Sequence, residues 1–479
     1  MHRVVPRLPQ ALHGSAATQA IEAALAATLP PHALMQRAGL AAARLALAVA
    51  PHARTFWIPC GPGNNGGDGL EAAMHLQQWG KTPLVSWLGS PDSSPADARA
   101  SHARALTAGV RFLDSPPADC DACIDALLGT GVSRAPEGRL ADWIERVNAL
   151  SVPVLAVDLP SGLNADTGAT LGPCVRAHHT LSLLTLKPGL YTAQGRDHAG
   201  QIWLESLGAD LAHPLPQAWL GGMPEAVKRA HASHKGSYGD VAIIGGASGM
   251  VGAALLAARA ALHHGAGRVY VGMLDHGAMT VDPTHPELMF RDIAALDPAP
   301  LTVVAGCGGG QAIAAQLARL LSAAPRLVLD ADALNSIAND PQLAGLLRAR
   351  AARRRQTVLT PHPLEAARLL GRTTGAVQED RLAAAQELAG QFGCTVVLKG
   401  SGSVVAAPDR RPVINPTGNA RLATAGTGDV LAGLIGARLA QGEDAFEAAC
   451  AAVWLHGLAA DVWPQDRALT AGTLAQAIN

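Results

Sequence analysis

Residues 55–69 read Thr55-Phe56-Trp57-Ile58-Pro59-Cys60-Gly61-Pro62-Gly63-Asn64-Asn65-Gly66-Gly67-Asp68-Gly69. An apolar run of strand length, 55–59, meets a glycine-rich turn, and residues 70–79 continue with helical spacing. Strand, glycine loop and helix, in that order, is the unit from which parallel sheets are wound. The glycines let backbone N–H groups approach an anion at a helix N-terminus. The string also satisfies G-x-G-x-x-G, but the segment around Ser86 to Ser90 offers no acidic residue where a dinucleotide fingerprint needs one. Asn64, Asn65 and Asp68 supply side-chain ligands that a bare turn does not need.

The same alternation extends outward. Further strands are expected at 83–88, 122–128, 153–157 and 180–186, with helices between most of them, for example 96–107. Residues 1 to about 52 are Ala-rich and read as helical. A second α/β series occupies 241–244, 268–272, 302–305, 327–329, 358–360 and 395–398, and the chain is almost wholly helical after Asn415. Buried strands joined by crossover helices imply parallel sheets covered on both faces. The stretch from His213 to His234 has linker composition, which places a boundary near 217–230.

The whole chain has 479 residues, 49% hydrophobic and 16% charged, enough for two or three cores and no case for global disorder. Lys plus Arg is 37 against 38 Asp plus Glu, and aromatics are 3%, which argues against nucleic-acid coating, membrane steering or base stacking. Seven cysteines, an odd number, read as reduced thiols; Cys120 and Cys123 form one C-x-x-C without a second pair. No apolar h-region follows Arg3 and Arg7, and the uncharged run from Val241 is broken by Gly245-Gly246, so a cytoplasmic protein without a membrane span is expected.

Two more loops end strands in the first half: Asp125 with Gly129-Thr130-Gly131, and Asp158-Leu159-Pro160-Ser161-Gly162. Open α/β sheets bind ligands at such places. Asn65, Asp125 and Ser161 offer hard oxygens to a weakly held monovalent or divalent cation. Asp158 reads as a general base or ribose ligand, or as a helix cap. In the second half Gly426-Thr427-Gly428-Asp429 opens an apolar helix; its N–H groups suit an anion, with Asp429 beside it. Lys399-Gly400-Ser401-Gly402-Ser403 ends a strand, and His362 leaves another. Asp330 and Asp332 are either a cap pair or within reach of a magnesium-nucleotide. No Walker A is present.

These loops, in this order, resemble the bifunctional NAD(P)H-hydrate repair enzymes, in which an NAD(P)HX epimerase is fused to an ADP-dependent dehydratase. The resemblance rests on GPGNNGGDG at 61–69, DALLGTG at 125–131, AVDLPSGLNADTG at 156–168 and LLTLKPGLY at 183–191. It continues through KGSYG at 235–239, GMVGAA at 249–254, DADALN at 330–335, TPHP at 360–363, NPTGNA at 415–420 and GTGDVLAG at 426–433. It implies an α/β chain with a Rossmann-like three-layer domain over 1–217 and a ribokinase-like domain over 224–479. The first would interconvert R and S epimers of hydrated NADH or NADPH; the second would dehydrate the S epimer with ADP, releasing AMP and phosphate.

The resemblance also assigns residues. Asn64, Asn65, Gly66, Gly67, Asp68, Gly129, Thr130, Gly131, Val132, Ser133, Arg134, Ala135 and Asp158 would bind the epimerase substrate. Asn65, Asp125 and Ser161 would hold K+. Ala253, Gly308, His362 and Asp429 would face the dehydratase substrate, and Lys399, Gly400, Ser401, Gly402, Ser403 and Gly428 the adenylate, which arrives as ADP with Mg2+. Asp158 and Asp429 are the expected catalytic groups, and a homo-oligomer is expected. Three departures from the family pattern stand out: Gly306-Cys307-Gly308-Gly309-Gly310 for the usual Gly-Pro-Gly-Leu-Gly, Leu364 after TPHP, and Arg421 with Ala425 before the Gly-Thr-Gly-Asp. The rival readings are a ribokinase-like small-molecule kinase and a cofactor-binding scaffold with decayed sites.

Overall fold

The computed structural model describes residues 1–5, 7–210, 214–225, 230–275 and 279–478. His213 and residues 226–229 of the expected linker therefore lie outside the described residues. The chain forms two compact units, one of Met1–Pro6 with Gln10–Leu220 and one of Arg7–Pro9 with Gly221–Asn479.

In the first unit the strands are β1 (His2–Arg3), β2 (Gln10–Leu12), β3 (Thr55–Cys60), β4 (Thr82–Trp87), β5 (Arg111–Phe112), β6 (Ala122–Asp125), β7 (Val154–Val157), β8 (His179–Leu183), β9 (Gln201–Glu205) and β10 (Ala218–Leu220). The main sheet has the order β1-β9-β8-β7-β6-β3-β4-β5, parallel except at β1. β2 and β10 pair antiparallel. The chain winds outward from β3 through β4 to β5, then returns to place β6 on the other side of β3. That reversal opens a crevice at the carboxyl ends of β3 and β6.

Period-two alternation explains why both faces are covered. Phe56, Ile58, Ile124, Leu155 and Val157 join one core cluster; Trp57, Cys123, Val154 and Ala156 join another on the opposite side. The result is a Rossmann-like three-layer unit.

The second unit contains β11 (Asp240–Gly245), β12 (Arg268–Met273), β13 (Met289–Phe290), β14 (Thr302–Ala305), β15 (Arg326–Leu329), β16 (Gln356–Leu359), β17 (Thr395–Leu398), β18 (Val404–Ala407) and β19 (Arg410–Ile414). Within it the order is β13-β12-β11-β14-β15-β16-β17-β18-β19, parallel through β17 and antiparallel beyond. The winding reverses between β11 and β14. Val241, Ile243, Val304, Val328, Val358 and Val397 turn one face to the helices Val251–His263 and Thr427–Ala440. The latter helix is buried along almost its whole length. A Cβ on Gly433 would stand 2.0 Å from the Ala257 carbonyl oxygen, so only glycine lets these two helices meet so closely.

Several expected boundaries move. The strand expected over 122–128 ends at Asp125, because that carboxylate accepts the Leu127 N–H and turns the chain. The helix expected from Leu70 begins at Asn64, inside the glycine loop. Residues 1–52 are not helical throughout: β1 and β2 precede the helices Ser15–Ala26 and Ala33–Val49. All seven cysteines are free, Cys120 and Cys123 among them. Among the described residues no helix is long and apolar enough to cross a membrane.

Candidate active sites

In the first unit the loops after β3, β6 and β7 converge on a cavity of about 680 Å³. Asn64, Asn65, Asp68, Gly129, Thr130, Gly131 and Asp158 line it. Gly66 and Gly67 are buried in the first turn of the helix Asn64–Gln78, and Val132, Ser133, Arg134 and Ala135 are not among the lining residues.

Asp158 takes a left-handed conformation, φ 66°, and caps no helix; its Oδ1 instead accepts from the Leu183 N–H at 3.1 Å and from the Lys187 ammonium. Lys187 is fully buried and also donates to the Leu183 carbonyl at 2.7 Å. A buried ammonium of this kind is tolerated only with a partner. Asp158 is thereby held as the charged half of an ion pair at the cavity wall. Asp68 has the opposite environment. Burial, followed by the charges of Asp158, Glu22, Glu71 and Asp97, pushes its carboxyl well above the usual range. Glu22, from the helix Ser15–Ala26, also lines the cavity and is raised by burial and by Asp158. One wall carboxylate is thus paired with an ammonium while burial and neighbouring carboxylates push two others upward.

Asp125 and Ser161 lie together behind this wall. The Ser161 hydroxyl donates to Asp125 Oδ1 at 2.6 Å and its N–H to Oδ2 at 2.8 Å. Asp125 is fully buried, and burial outweighs these bonds enough to raise its pKa to about 6. Among the described residues no cationic side chain contributes to that balance. The buried Asn65 Nδ2 has no hydrogen-bond partner among the described residues; with its amide turned over, the oxygen would take that place. A buried carboxylate with no cationic partner among the described residues, together with the Asn65 amide on the loop after β3, is a donor set that fits a weakly hydrated monovalent cation.

The second unit gathers its polar groups at the ends of β14, β15, β16 and β17 and at the start of the helix Thr427–Ala440. Lys399 Nζ donates to Asp330 Oδ1 at 2.7 Å, and the Thr360 hydroxyl donates to the same oxygen at 2.7 Å. Burial works against the Lys399 charge, but Asp330 and then Glu365 more than offset it and raise its pKa. A Cβ on Gly428 would lie 3.2 Å from Lys399 Nζ, so this ammonium faces the helix start.

Asp429 sits in the first turn of that helix. Its carboxyl oxygen, a carboxyl oxygen of Asp330 and Cys307 Sγ lie within 4.8 Å of one another. Burial first, and the Asp330 charge second, raise Asp429 to about 7, against a thiol hydrogen bond from Cys307. Gly426 adopts φ 89°, a conformation that side chains resist. The first helical bond runs from Val430 N–H to Gly426 O, while Thr427 N–H turns back to Thr424 O. The Gly428 and Asp429 N–H groups therefore stand ahead of the hydrogen-bonded ladder, as an anion at a helix start requires.

Gly308 and Ala253 also meet: a Cβ on Gly308 would fall 2.9 Å from the Ala253 Cβ, where the loops after β11 and β14 flank the second switch point. Asp332 accepts the Gly310 N–H at 2.8 Å and holds that loop. His362 lies at the end of β16, partly exposed. Its Nδ1 caps the helix Pro363–Leu370, accepting from Leu364 and Glu365 N–H, and its Nε2 lies 3.2 Å from Glu365 Oε1. Burial and Lys399 lower its pKa. The Gly400–Ser403 turn closes on itself through the Ser403 hydroxyl. Sequence reasoning missed His456, whose buried Nε2 bonds the Thr427 carbonyl at 2.9 Å and whose pKa burial lowers to about 4.

Comparison with known proteins gives this arrangement its context. Residues 31–189 match the family described as YjeF-related protein N-terminus, and residues 241–479 the family described as NAD(P)H-hydrate dehydratase. The bifunctional NAD(P)H-hydrate repair enzyme Nnr of Escherichia coli K12 is 38% identical, covering 92% of this chain and 87% of its own. A bifunctional NAD(P)H-hydrate repair enzyme of Leishmania braziliensis is 38% identical over 90% and 84%. Among solved structures, the ADP/ATP-dependent NAD(P)H-hydrate dehydratase of Bacillus subtilis is 32% identical and covers 53% of this chain and 92% of that one, at a TM-score of 0.46. With two α/β units in series, two switch-point sites and identity of this extent along both, the chain belongs to the family of bifunctional NAD(P)H-hydrate repair enzymes.

Proposed function

We propose that the chain repairs hydrated NADH and NADPH in two steps: the 1–217 domain interconverts the R and S epimers, and the 224–479 domain dehydrates the S epimer with ADP. The observation that carries the second step is Asp429, a carboxyl raised to about 7 at a glycine-opened helix start that also faces the Lys399–Asp330 pair. The hydroxyl on the hydrated ring is a poor leaving group. Asp429 accepts its proton as the oxygen attacks the terminal phosphoryl group of ADP, giving AMP. Ring-nitrogen electrons then expel phosphate to leave an iminium at C6, and loss of the C5 proton to water or the departing phosphate restores the C5–C6 double bond of NAD(P)H. The Gly428 and Asp429 N–H groups and the Lys399 ammonium are the donors nearest the charge that develops. Mg2+ arrives with the nucleotide as part of the co-substrate.

Epimerisation needs a proton to leave and return at the hydrated ring. Asp158, fixed by Lys187, serves as the base, and Asp68, whose pKa burial raises, as the acid; two carboxyl groups in unlike environments suit that division. Asn65, Asp125 and Ser161 would hold K+, which neutralises Asp125 and fixes the loop bearing Asn64 and Asn65. Supplying mixed NADHX epimers with ADP and following NADH absorbance tests the reading; a stable phosphorylated product in place of NADH would favour a small-molecule kinase.

A further inference from the structure

Outside both sites, at the far end of the helix Val251–His263, two imidazoles face each other. His263 Nε2 lies 3.1 Å from His285 Nε2, with the rings edge to face at 88°. Ala253, beside the second switch point, and His263 are ten residues apart on this helix, about 15 Å along its axis.

The partners of His285 fix its tautomer. The Thr284 hydroxyl gives its one proton to Asp282 Oδ1 at 2.8 Å and accepts from Arg259 Nη2 at 3.0 Å. Toward His285 Nδ1, 2.9 Å away, the Thr284 oxygen can therefore only accept, so Nδ1 carries the proton. Nε2 is left with a lone pair aimed at His263. Asp282 is buried, bonded by Arg259 Nε at 2.9 Å, and 3.7 Å from His285 Nδ1. The Thr284 hydroxyl that accepts the Nδ1 proton is itself bonded to Asp282, so the outer nitrogen is held by a hydrogen-bonded partner, as the outer nitrogens of metal-ligating histidines are. His263 is exposed, so an ion can enter from solvent. Burial and the neighbouring His285 lower its pKa and favour the neutral form that ligates metals. The Arg259 charge also acts against protonation of His263 but is tied to Asp282, and Glu287 faces the same ring from an exposed position.

We propose that His263 and His285 form a site for a divalent transition-metal ion of the Zn2+ or Ni2+ type, clamping the end of the helix to the segment that leads into β13. Two nitrogens at bonding distance from one tetrahedral ion stand about 3.3 Å apart, so small side-chain rotations convert the observed contact into a chelate. Glu287 can swing in as a third ligand, and water completes the shell.

The test is Ni2+ titration of the chelator-stripped full chain by calorimetry, with thermal unfolding in parallel. One bound equivalent and a Ni2+-dependent rise in Tm are expected. His263→Gln and His285→Gln should each weaken that equivalent at least tenfold and remove the rise, while Glu287→Gln weakens it less. Cys307→Ser should retain it, which separates this site from the Cys307, Asp330 and Asp429 cluster. Because His263 is exposed, its variant decides the matter should His285→Gln fold poorly. A wild-type chain that takes up no Ni2+, or a folded His263→Gln protein that binds with unchanged stoichiometry and affinity, would overturn the proposal.

Discussion

Lys399 Nζ and Asp330 Oδ1 are 2.7 Å apart at the carboxyl ends of β17 and β15, and this pair sets the charge around Asp429. Asp330 raises the Asp429 carboxyl and Lys399 lowers it. Asp330→Asn removes the first influence and frees the second, so both changes make Asp429 easier to ionise.

That gives a pH prediction. A base raised to about 7 is active when ionised, so dehydratase kcat/KM should fall tenfold per unit as pH drops below about 7. The acid limb should move to lower pH in Asp330→Asn. A profile flat down to pH ~5, near the ordinary carboxylate range, would remove Asp429 as the base.

Lys399→Met should leave Asp330 buried without its ammonium. Losing one partner of a buried pair costs about 3 to 5 kcal/mol, read as a lower Tm of the unfolding step assigned to the second unit. Turnover should fall by more than tenfold under conditions where the variant stays folded. A variant with wild-type stability and turnover would contradict the role given to the pair.

In the first unit, Lys187→Met should reduce epimer interconversion at least a hundredfold while dehydration of supplied S epimer stays within twofold of wild type. The expected cause is that Asp158, without the Lys187 ammonium, loses the partner that fixes its position. Equal loss of both activities would point to unfolding instead.

Potassium should raise the thermal stability of the first unit relative to a bulky organic cation, and Asp125→Asn should erase the difference. Among the described residues no cationic group acts on the buried Asp125 carboxylate, so the ion has a defined task. Identical melting in both cations would count against the site.

The strand–glycine loop–helix order was legible because its signals are local: 55–59, 302–305 and 395–398 are short apolar runs, and the glycine loops announce helix starts. β19 escaped because the exposed Arg410 and Arg411 break its apolar pattern, and β18, though apolar and buried, is only four residues long and follows the Lys399–Ser403 loop directly. Asp158 and Asp429 were readable from their loops, but Lys187 and Glu22 were not. Glu22 reaches the cavity from a helix more than 130 residues away in sequence from Asp158, a relation only the folded chain supplies. Lys187 did carry a signal, as the one charge in the apolar stretch 183–191, which required a buried partner. His362 was placed by its position at a strand end, yet a histidine before Pro363 and three residues ahead of Glu365 also has capping-box spacing, and the cap engages its Nδ1.

The most direct test of the two-step account supplies mixed NADHX epimers and ADP to the full chain and to two variants. Wild type should return all the hydrate to NADH. Asp158→Asn should recover NADH quickly up to the S fraction and then slow to the spontaneous epimerisation rate, and Asp429→Asn should recover none while the epimers still interconvert. Undiminished recovery by Asp429→Asn, or consumption of both epimers at one rate by Asp158→Asn, would contradict it.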